Sequence, residues 1–396
     1  MRIVQLVPSL DAGELAQEAL EFAQELARQG HESIVVSSGG ALVSRLTLHN
    51  CQHFALPLNQ KKLLNGRLHR KLRRQLESLQ ADILLCRGPL CAWHGAQVHK
   101  RMAPSQRPRL VTSIHQWPST GLLRGRRTNP ALVQGELVLS ASRTLGEQLA
   151  QRYVAGPSSP QPGASPTQSV EKLRTLYRGV NTRELDKSAP VSGHWHHRLL
   201  NDFPQLEERN WLLLPGAIGP GRGQERFLDV LAALKQERAD IFGLVVGNVV
   251  PGQEKFARSL ERRAESMGLS EYVLFLGERR DMRELYASAR ITFDLVGDRG
   301  KMAPSSGRIV AESLAMGCPA IAASGTGVEL LQQCFPQGLL VAGEGAADAA
   351  NVEGLVEAAN KILEHPRPVE FSGFSLAETT SQAVDWFREL QAINCA

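Results

Sequence analysis

The stretch from residue 304 to residue 319 combines small turn residues with the start of an amphipathic helix. Its sequence is PSSGRIVAESLAMGCP, and the spacing of its apolar residues predicts a helix beginning at Arg308. The first N–H groups of a helix lie unpaired at the positive end of its dipole and bind phosphate. Ser306 and Gly307 would bring backbone close to a pyrophosphate, and Glu312 would reach a sugar hydroxyl. An ordinary capped helix with a surface glutamate gives the same pattern, so both interpretations stay open.

A second glycine-rich turn, GAIGPGRGQ, runs from Gly216 to Gln224 between a predicted strand and a predicted helix. It places Arg222 near the carboxyl end of the strand, where open α/β sheets bind their ligands. The turn is not a P-loop, because no Gly-Lys-Ser or Gly-Lys-Thr follows it. Gly216 and Arg222 are therefore candidates for contacts to a diphosphate, although a glycine turn alone is weak evidence.

His115 ends a predicted strand in the sequence VTSIHQW. A histidine at a strand end that faces a cleft can orient a substrate. A lone histidine is also often a structural residue, and the sequence leaves both roles open.

The segment from residue 61 to residue 79, KKLLNGRLHRKLRRQLESL, places leucines at helical spacing and basic residues between them. A basic amphipathic helix is typical of proteins that bind an anionic membrane surface. The alternative is a helix packed on the core with its basic side in solvent. Nucleic acid is a less favoured partner, because the segment has no aromatic residues on which bases would stack.

Length and composition limit the kinds of protein that must position these residues. The 396 residues exceed one ordinary core and predict two domains. Hydrophobic residues make up 42% and charged residues 21%, which is typical of a globular chain. The aromatic content of 5% indicates an aliphatic core, as in buried parallel strands. The net charge of +5 favours anionic partners, although a basic enzyme without such a partner would have the same charge.

The cysteines and the apolar runs indicate the compartment. None of the six cysteines forms a CxxC pair, so we expect neither a zinc site nor a disulfide framework, and a reducing cytoplasm is the simplest setting. The opening residues MRIVQLVPSL are expected to form a first strand, not a signal peptide. No segment approaches the roughly 20 consecutive apolar residues that span a bilayer.

The pattern of elements predicts two consecutive Rossmann-like lobes, each a doubly wound α/β unit. The first lobe is expected to span 1–172 and the second 173–375, with a C-terminal helix at 376–396 returning to the first. A Pro- and Ser-rich loop at 154–170 cannot bury a core and is expected to be mobile. The expected strands are Met1–Ser9, Ser33–Ser37, Ile83–Cys86, Leu110–Ile114 and Leu137–Ala141 in the first lobe, and Leu173–Tyr177, Trp211–Pro215, Phe242–Val246, Val273–Leu276, Ile291–Leu295, Ala320–Ala323 and Leu339–Val341 in the second.

Several blocks, taken in order, resemble glycosyltransferase family four, the retaining GT-B group that includes bacterial lipopolysaccharide-core transferases. They include IVQLVPSLDAGE, LVTSIHQW, LYRGVNTRELD, LLLPGAIGPGRGQERFLDVLAALK and SGRIVAESLAMGCPAIAASGTGVELL, and together the blocks cover most of the chain. The ordered series is far more specific than any single block. The resemblance implies a GT-B fold, in which two Rossmann-like lobes flank an interdomain cleft.

The resemblance also implies roles for individual residues. Gly13 is similar to the loop glycine that approaches the donor phosphates, and His115 to the residue that contacts the transferred sugar. Glu312 resembles the second glutamate of the family's paired-glutamate motif, which holds the ribose. The remaining matches are Gly307 and Arg308 at the helix start beneath the diphosphate, and Arg279 and Arg280 in the loop that borders the base.

The sequence departs from the family pattern at the phosphate and sugar contacts. The position of the first glutamate, eight residues before Glu312, is Pro304, and the arginine expected after the loop glycine is Ala217. The family lysine a few residues on is replaced by Arg222, which can hold a diphosphate as a two-pronged donor. Either the donor is unusual, or nearby residues such as Asp298 and Lys301 substitute, or catalysis is weakened.

We therefore expect an enzyme that moves a sugar from an NDP-sugar, with retained configuration, to a lipid-linked or cell-envelope glycan such as lipopolysaccharide core. His115, Arg222 and Glu312 are the expected catalytic residues, and neither a metal nor a cofactor is expected. The enzyme would be cytoplasmic and peripheral on the inner membrane surface, held there by the basic helix. A degenerate GT-B protein that scaffolds other enzymes or binds a sugar nucleotide without turnover is the main alternative, and a GT-B epimerase is a weaker one.

Overall fold

The chain forms two compact units, each built around its own parallel sheet. One unit comprises Met1–Gly179 with Phe374–Ala396, and the other comprises Val180–Gly373. The computed structural model describes residues 1–11, 13–59, 66–115, 124–154, 172–296, 307–322, 339–341, 352–366, 368–369 and 371–392.

The first unit contains a seven-stranded parallel sheet in the order β3-β2-β1-β4-β5-β6-β7. Its strands are β1 (Arg2–Leu6), β2 (Glu32–Ser37), β3 (Gln52–Ala55), β4 (Ile83–Arg87), β5 (Arg109–Ile114), β6 (Leu137–Ser140) and β7 (Leu173–Thr175). Its helices are α1 (Glu14–Arg28), α2 (Val43–Thr47), α3 (Gly66–Leu79), α4 (Gly88–His99), α5 (Arg124–Thr128), α6 (Arg143–Tyr153) and α13 (Leu376–Ala392), with 3₁₀ turns at Pro104–Gln106 and Asn129–Gln134.

The sheet is buried on both faces, as its aliphatic strands require. One face packs against α1 and the C-terminal helix α13, which contributes Ala383, Val384 and Phe387 to a core that includes Ile3 and Phe22. The opposite face packs against α3, α4 and α6. The helix at the end of the chain is therefore an integral part of the first unit.

Two features of the first unit differ from the sequence analysis. Strand β3 was missed, because an edge strand that pairs on one side has no continuous apolar run. The strand at Leu173–Thr175, expected to open the second lobe, pairs in parallel with β6 and closes the first sheet. Alternation and length do not tell which sheet an isolated three-residue strand joins. The loop expected at 154–170 lies outside the described residues, apart from Val154.

Helix α3 shows that the leucines of the basic segment belong to the core. Leu68, Leu72 and Leu76 are buried, whereas Arg67, Arg70, Lys71 and Arg74 are exposed. From Gly66 onward the helix is packed on the core with its basic side in solvent, and binding of that basic side to a membrane stays a prediction. Residues 61–65 lie outside the described part of the chain.

A buried histidine pair fixes α3 to α4. Nε2 of His69 lies 2.9 Å from Nδ1 of His94, and Arg101 donates to Nδ1 of His69 at 3.2 Å. Because arginine can only donate, Nδ1 of His69 is the acceptor, and His69 therefore donates from Nε2 to His94. Burial, together with the charge of Arg101, lowers the pKa of His69.

The second unit contains a six-stranded sheet in the order β10-β9-β8-β11-β12-β13. Its strands, parallel throughout, are β8 (Asn210–Pro215), β9 (Ile241–Val246), β10 (Val273–Gly277), β11 (Ile291–Asp294), β12 (Ala320–Ala322) and β13 (Leu339–Val341). Its helices are α7 (Gly193–Asp202), α8 (Gln224–Glu237), α9 (Glu254–Ser266), α10 (Met282–Ser288), α11 (Arg308–Ala315) and α12 (Val352–Glu364), with a 3₁₀ turn at Pro204–Leu206.

Glycine at position 223 lets the turn before α8 approach the end of β11. Gly223 caps α8 in the left-handed region, with φ of 91°. A Cβ atom built on it would lie 2.5 Å from Cβ of Leu295 and 2.6 Å from its carbonyl oxygen. Only glycine therefore permits both the backbone conformation and the close approach.

We predict that Gly223→Ala destabilises the second unit more than Gly252→Ala does. Gly252 has a similar φ of 83° but open space around its Cβ position, so it reports the backbone cost alone. That cost is about 1–2 kcal/mol, and Gly223→Ala should add the displacement of Leu295. Denaturant unfolding of the two variants measures the difference, and equal losses would contradict the crowding argument.

Candidate active site

Polar side chains of the first unit gather where β1, β4 and β5 end. The strand order reverses beside β1, and loops leaving the carboxyl ends of strands at such a point frame an opening. Gln5 lies on β1, Arg87 ends β4, and His115 follows β5. Glu18, on the first turns of α1, reaches the same place.

The side chains in this cluster contact one another closely. Arg87 donates from Nε to Gln5 at 2.7 Å and from Nη1 to Oε1 of Glu18 at 3.0 Å. Oε2 of Glu18 lies 2.9 Å from Nδ1 of His115, although the ring N–H does not point straight at it. Nε2 of His115 lies 2.8 Å from Oγ of Ser113 and 3.4 Å from Nη1 of Arg87.

Electrostatics keeps the carboxylate and the guanidinium of this cluster ionised. Burial alone would raise the pKa of Glu18, but His115, Arg87 and Arg178 outweigh it and hold that pKa well below its ordinary value. Burial lowers the pKa of Arg87, and Glu18 opposes the shift; arginine stays cationic regardless. The cluster therefore has fixed charges around His115.

Gly13 lies shortly before Glu18, a member of this cluster, in the sequence. It precedes α1 and accepts from the N–H of Gln17 through its carbonyl oxygen, at 3.0 Å. A Cβ atom at Gly13 would meet no atom within 4 Å. The structure thus places Gly13 at the helix start, in a position open to a ligand, and its predicted phosphate contact stays a prediction.

In the second unit, glycines follow three neighbouring strands at their carboxyl ends. Gly216 follows β8, Gly247 follows β9, and Gly277 ends β10. A Cβ at Gly247 would lie 2.1 Å from the carbonyl oxygen of Gly216. Gln224 donates to the carbonyl oxygen of Ala217 at 3.1 Å and holds the turn. This edge leaves backbone accessible, as a phosphate site requires.

Helix α11 begins beside the same edge. Gly307 caps it with φ of 71°, and Cδ1 of Ile309 in its first turn lies 3.8 Å from the Cβ position of Gly216. The structure therefore brings together the Gly216 turn and the α11 start, which the sequence analysis selected separately. Ser306 and Pro304 lie outside the described residues, as do Asp298 and Lys301.

Both oxygens of the Glu312 carboxylate have partners. Arg308 donates from Nε to Oε1 at 2.5 Å, and the buried hydroxyl of Tyr286 donates to Oε2 at 3.3 Å. Burial and the charge of Glu312 raise the pKa of Tyr286 well above its ordinary value, so the hydroxyl remains a donor. Glu312 is thereby oriented, and a hydroxyl ligand would bind to its remaining lone pairs.

The three arginines predicted to contact a donor differ in their environments. The half-buried guanidinium of Arg222 makes no hydrogen bond or ion pair with any described residue. Arg279 is held by Asp281, which accepts from its Nε at 2.9 Å and also from the indole N–H of Trp195 at 2.6 Å. Arg280 is exposed. Arg279 is thus engaged within the protein, and Arg222 and Arg280 are available to a ligand.

The sequence analysis did not identify several polar residues at these edges, including Glu18, Tyr286, Arg87 and Asp294. Glu18 and Tyr286 lie within amphipathic helices, where nothing in the spacing separates them from ordinary positions. Arg87 and Asp294 each end a strand after an apolar run, in ILLCR and ITFD, and are 3% and 1% exposed. A charged residue that closes an otherwise apolar strand was the signal available for these two.

No helix in the described residues is both long and apolar enough to cross a bilayer. The same part of the chain contains no group of three or more His, Cys, Asp or Glu side chains placed to hold a metal ion. The cysteines described, Cys51, Cys86, Cys91 and Cys318, are buried free thiols. Cys334 and Cys395 lie outside the described residues.

Two Rossmann-like units, each with its own parallel sheet, are the architecture of the GT-B class of glycosyltransferases. Family models match both units: Glycosyltransferase Family 4 over residues 16–160, and Glycosyl transferases group 1 over residues 209–365. The chain therefore carries one domain of each glycosyltransferase family and is a glycosyltransferase. Comparison with curated proteins gave no significant match.

Solved structures with the same fold include several glycosyltransferases. A glycosyltransferase from Rickettsia africae is 18% identical with a TM-score of 0.75, and the alignment covers 98% of each chain. HepE from Anabaena, solved with UDP, is 18% identical with a TM-score of 0.70, covering 100% of this chain and 99% of that one. WaaG, a glycosyltransferase of lipopolysaccharide biosynthesis, is 16% identical with a TM-score of 0.62, covering 97% and 95%.

The different environments of Arg279 and Arg280 give a matched pair of variants. Arg279→Ala removes a partner of Asp281 and should lower the free energy of unfolding by about 1.5–3 kcal/mol, the usual value for hydrogen bonds to charged groups. Arg280→Ala should change it by less than about 0.5 kcal/mol, because the side chain is exposed. Denaturant unfolding measures both. A similar loss for the two variants would show that the Arg279 contacts do not stabilise the fold.

Proposed function

We propose that this glycosyltransferase moves a sugar from a nucleoside diphosphate sugar to a lipid-linked or cell-envelope glycan, with retained anomeric configuration. The observation that carries the donor half is the convergence of the Gly216 turn and the α11 start at the carboxyl edge of the sheet, where the strand order reverses between β8 and β11. Accessible backbone, a helix N-terminus and an unengaged guanidinium suit a diphosphate. HepE, which shares the fold, has been solved with UDP-glucose.

In the proposed reaction the protein supplies charge and orientation. Arg222 and the first N–H groups of α11 stabilise the departing diphosphate, on which negative charge develops. Glu312, oriented by Arg308 and Tyr286, binds hydroxyls of the donor. His115 contacts the sugar that is transferred. We propose that transfer requires neither a metal nor a cofactor, since these cationic groups occupy the role that a metal would have.

The acceptor half of the proposal rests on the first unit. The exposed side of α3 carries Arg67, Arg70, Lys71 and Arg74, and an anionic bilayer attracts such a surface. Because the leucines of α3 are buried in the core, we propose adsorption by charge, without insertion of an apolar face. The enzyme would act on the inner surface of the cytoplasmic membrane. WaaG, with the same fold, acts in lipopolysaccharide biosynthesis.

The donor site predicts selective stabilisation by one nucleotide and its sugar. Purified protein is titrated with UDP, GDP, ADP and CMP and with their sugars while thermal unfolding is followed. A ligand at about 100 times its dissociation constant should stabilise the protein by about 2.7 kcal/mol. Arg222→Ala and Glu312→Ala should each reduce that stabilisation, whereas Glu261→Ala, an exposed position on α9, should not.

The same ligand then serves as the donor in a transfer assay with and without a chelator. Retained anomeric configuration and full activity with the chelator are expected. Inversion would contradict the retaining mechanism, and loss of activity would contradict metal independence. No stabilisation by any nucleotide would contradict the donor site and favour a scaffolding role.

Membrane adsorption is tested by charge reversal on two helices. The triple variant Arg67→Glu, Arg70→Glu and Arg74→Glu should lose binding to phosphatidylglycerol vesicles, since each basic residue near an anionic surface contributes about 1 kcal/mol. The triple variant Lys255→Glu, Arg258→Glu and Arg262→Glu on α9 changes net charge equally and should retain binding. Sedimentation with vesicles at low and high salt measures both. Equal loss in the two variants would assign binding to net charge and not to α3.

A further inference from the structure

The geometry around His115 determines which of its ring nitrogens carries the proton. Nε2 lies 3.4 Å from Nη1 of Arg87, and a guanidinium can only donate. Nε2 also lies 2.8 Å from the hydroxyl of Ser113, which is free to rotate and donate. Two donors therefore surround Nε2, and this nitrogen carries the lone pair.

The proton must then be on Nδ1, and the surroundings of Nδ1 support this placement. Nδ1 is buried, and the carboxylate oxygen Oε2 of Glu18 lies 2.9 Å from it, off the line of the N–H bond. The other oxygen of Glu18 accepts from Arg87 at 3.0 Å. One carboxylate thus holds both the guanidinium and the imidazole, and its two contacts set the distance between them.

We propose that Glu18 is a positioning residue that holds His115 as the Nδ1–H tautomer, so that Nε2 accepts a hydrogen bond from a substrate hydroxyl. The hydroxyl of Ser113 donates to Nε2 at 2.8 Å, and the substrate hydroxyl would take its place as donor. An anionic group is disfavoured at Nε2, because a lone pair repels it. The tautomer follows from the first unit alone, whereas the role of the hydroxyl rests on the proposed transfer of a sugar.

This arrangement uses a general property of histidine. The hydrogen bond made by one ring nitrogen fixes the state of the other, and a buried carboxylate is a common partner for that purpose. Contacts of this kind are often poorly aligned without substrate and tighten when it binds. The off-line direction of the Nδ1–H bond toward Glu18 fits that behaviour.

Nitrogen NMR of the full-length protein labelled at histidine tests the proposal directly. His115→Gln identifies the resonances of His115 by their absence. The expected result for the unliganded wild type is a pyridine-like Nε2 and a pyrrole-like Nδ1 at neutral pH. A pyrrole-like Nε2, or an imidazolium with both nitrogens protonated, would overturn the proposal, whether or not a donor sugar has been found.

Glu18→Gln tests the role of the carboxylate, with the fold checked by the remaining histidine resonances. Glutamine keeps one acceptor oxygen but cannot serve both Arg87 and His115, so the Nδ1–H tautomer should lose population. Unchanged His115 resonances would overturn the role of Glu18. In the transfer assay kcat should fall by roughly 10- to 100-fold, the range known for orienting partners of histidine at metal sites, with a smaller change in KM. A change in KM alone would also overturn it.

Discussion

Both units depend on the same constraint. In each parallel sheet the strand order reverses beside the first strand, and this reversal leaves a crevice at the carboxyl edge of the sheet. The connections of β1 and β4 turn to opposite faces of the first sheet, and those of β8 and β11 do so in the second. The backbone cannot close that opening, because each strand is already paired on both sides. Side chains and glycine turns at this edge therefore determine what each unit binds.

The carboxyl edges of the two sheets differ in the chemical groups that line the opening. In the first unit the opening contains ionised side chains, and Arg87 is 3% exposed. A charge so deeply buried is tolerated only when it is paired, which Glu18 and Gln5 accomplish. In the second unit the opening contains backbone that glycines keep accessible. The side chain of Glu312 is held in place beside this opening. In the proposed function, the first edge binds hydroxyls and the second binds phosphates.

The sequence predicts the fold well because the strong signals in this chain are local ones. Nearly every strand is an apolar run ending in a turn, and the βαβ order then restricts the sheet to a single hand. What could not be predicted was long-range: the half-buried edge strand β3, and the sheet to which Leu173–Thr175 belongs. Both depend on partners distant in the chain.

For the candidate site, too, local features could be predicted from the sequence and long-range contacts could not. Gly216 and His115 follow strands directly, and their positions at the sheet edges could be inferred from the sequence. The partners of His115 could not, because Glu18 and Arg87 come from α1 and β4 and meet only in the folded sheet. For Glu312 likewise, Tyr286 lies 26 positions away along the chain. Spacing identifies residues, whereas only packing identifies the contacts that orient them.

The position of α13 affects how the protein folds during its synthesis on the ribosome. The first unit includes Met1–Gly179, but the helix that covers one face of its sheet is synthesised only after the second unit. At about 5–20 residues per second, synthesis of the whole second unit intervenes, a delay on the order of ten seconds or more. During that time Ile3, Ile83 and Val111 present an uncovered apolar surface. The second unit can therefore complete its core before the first unit does.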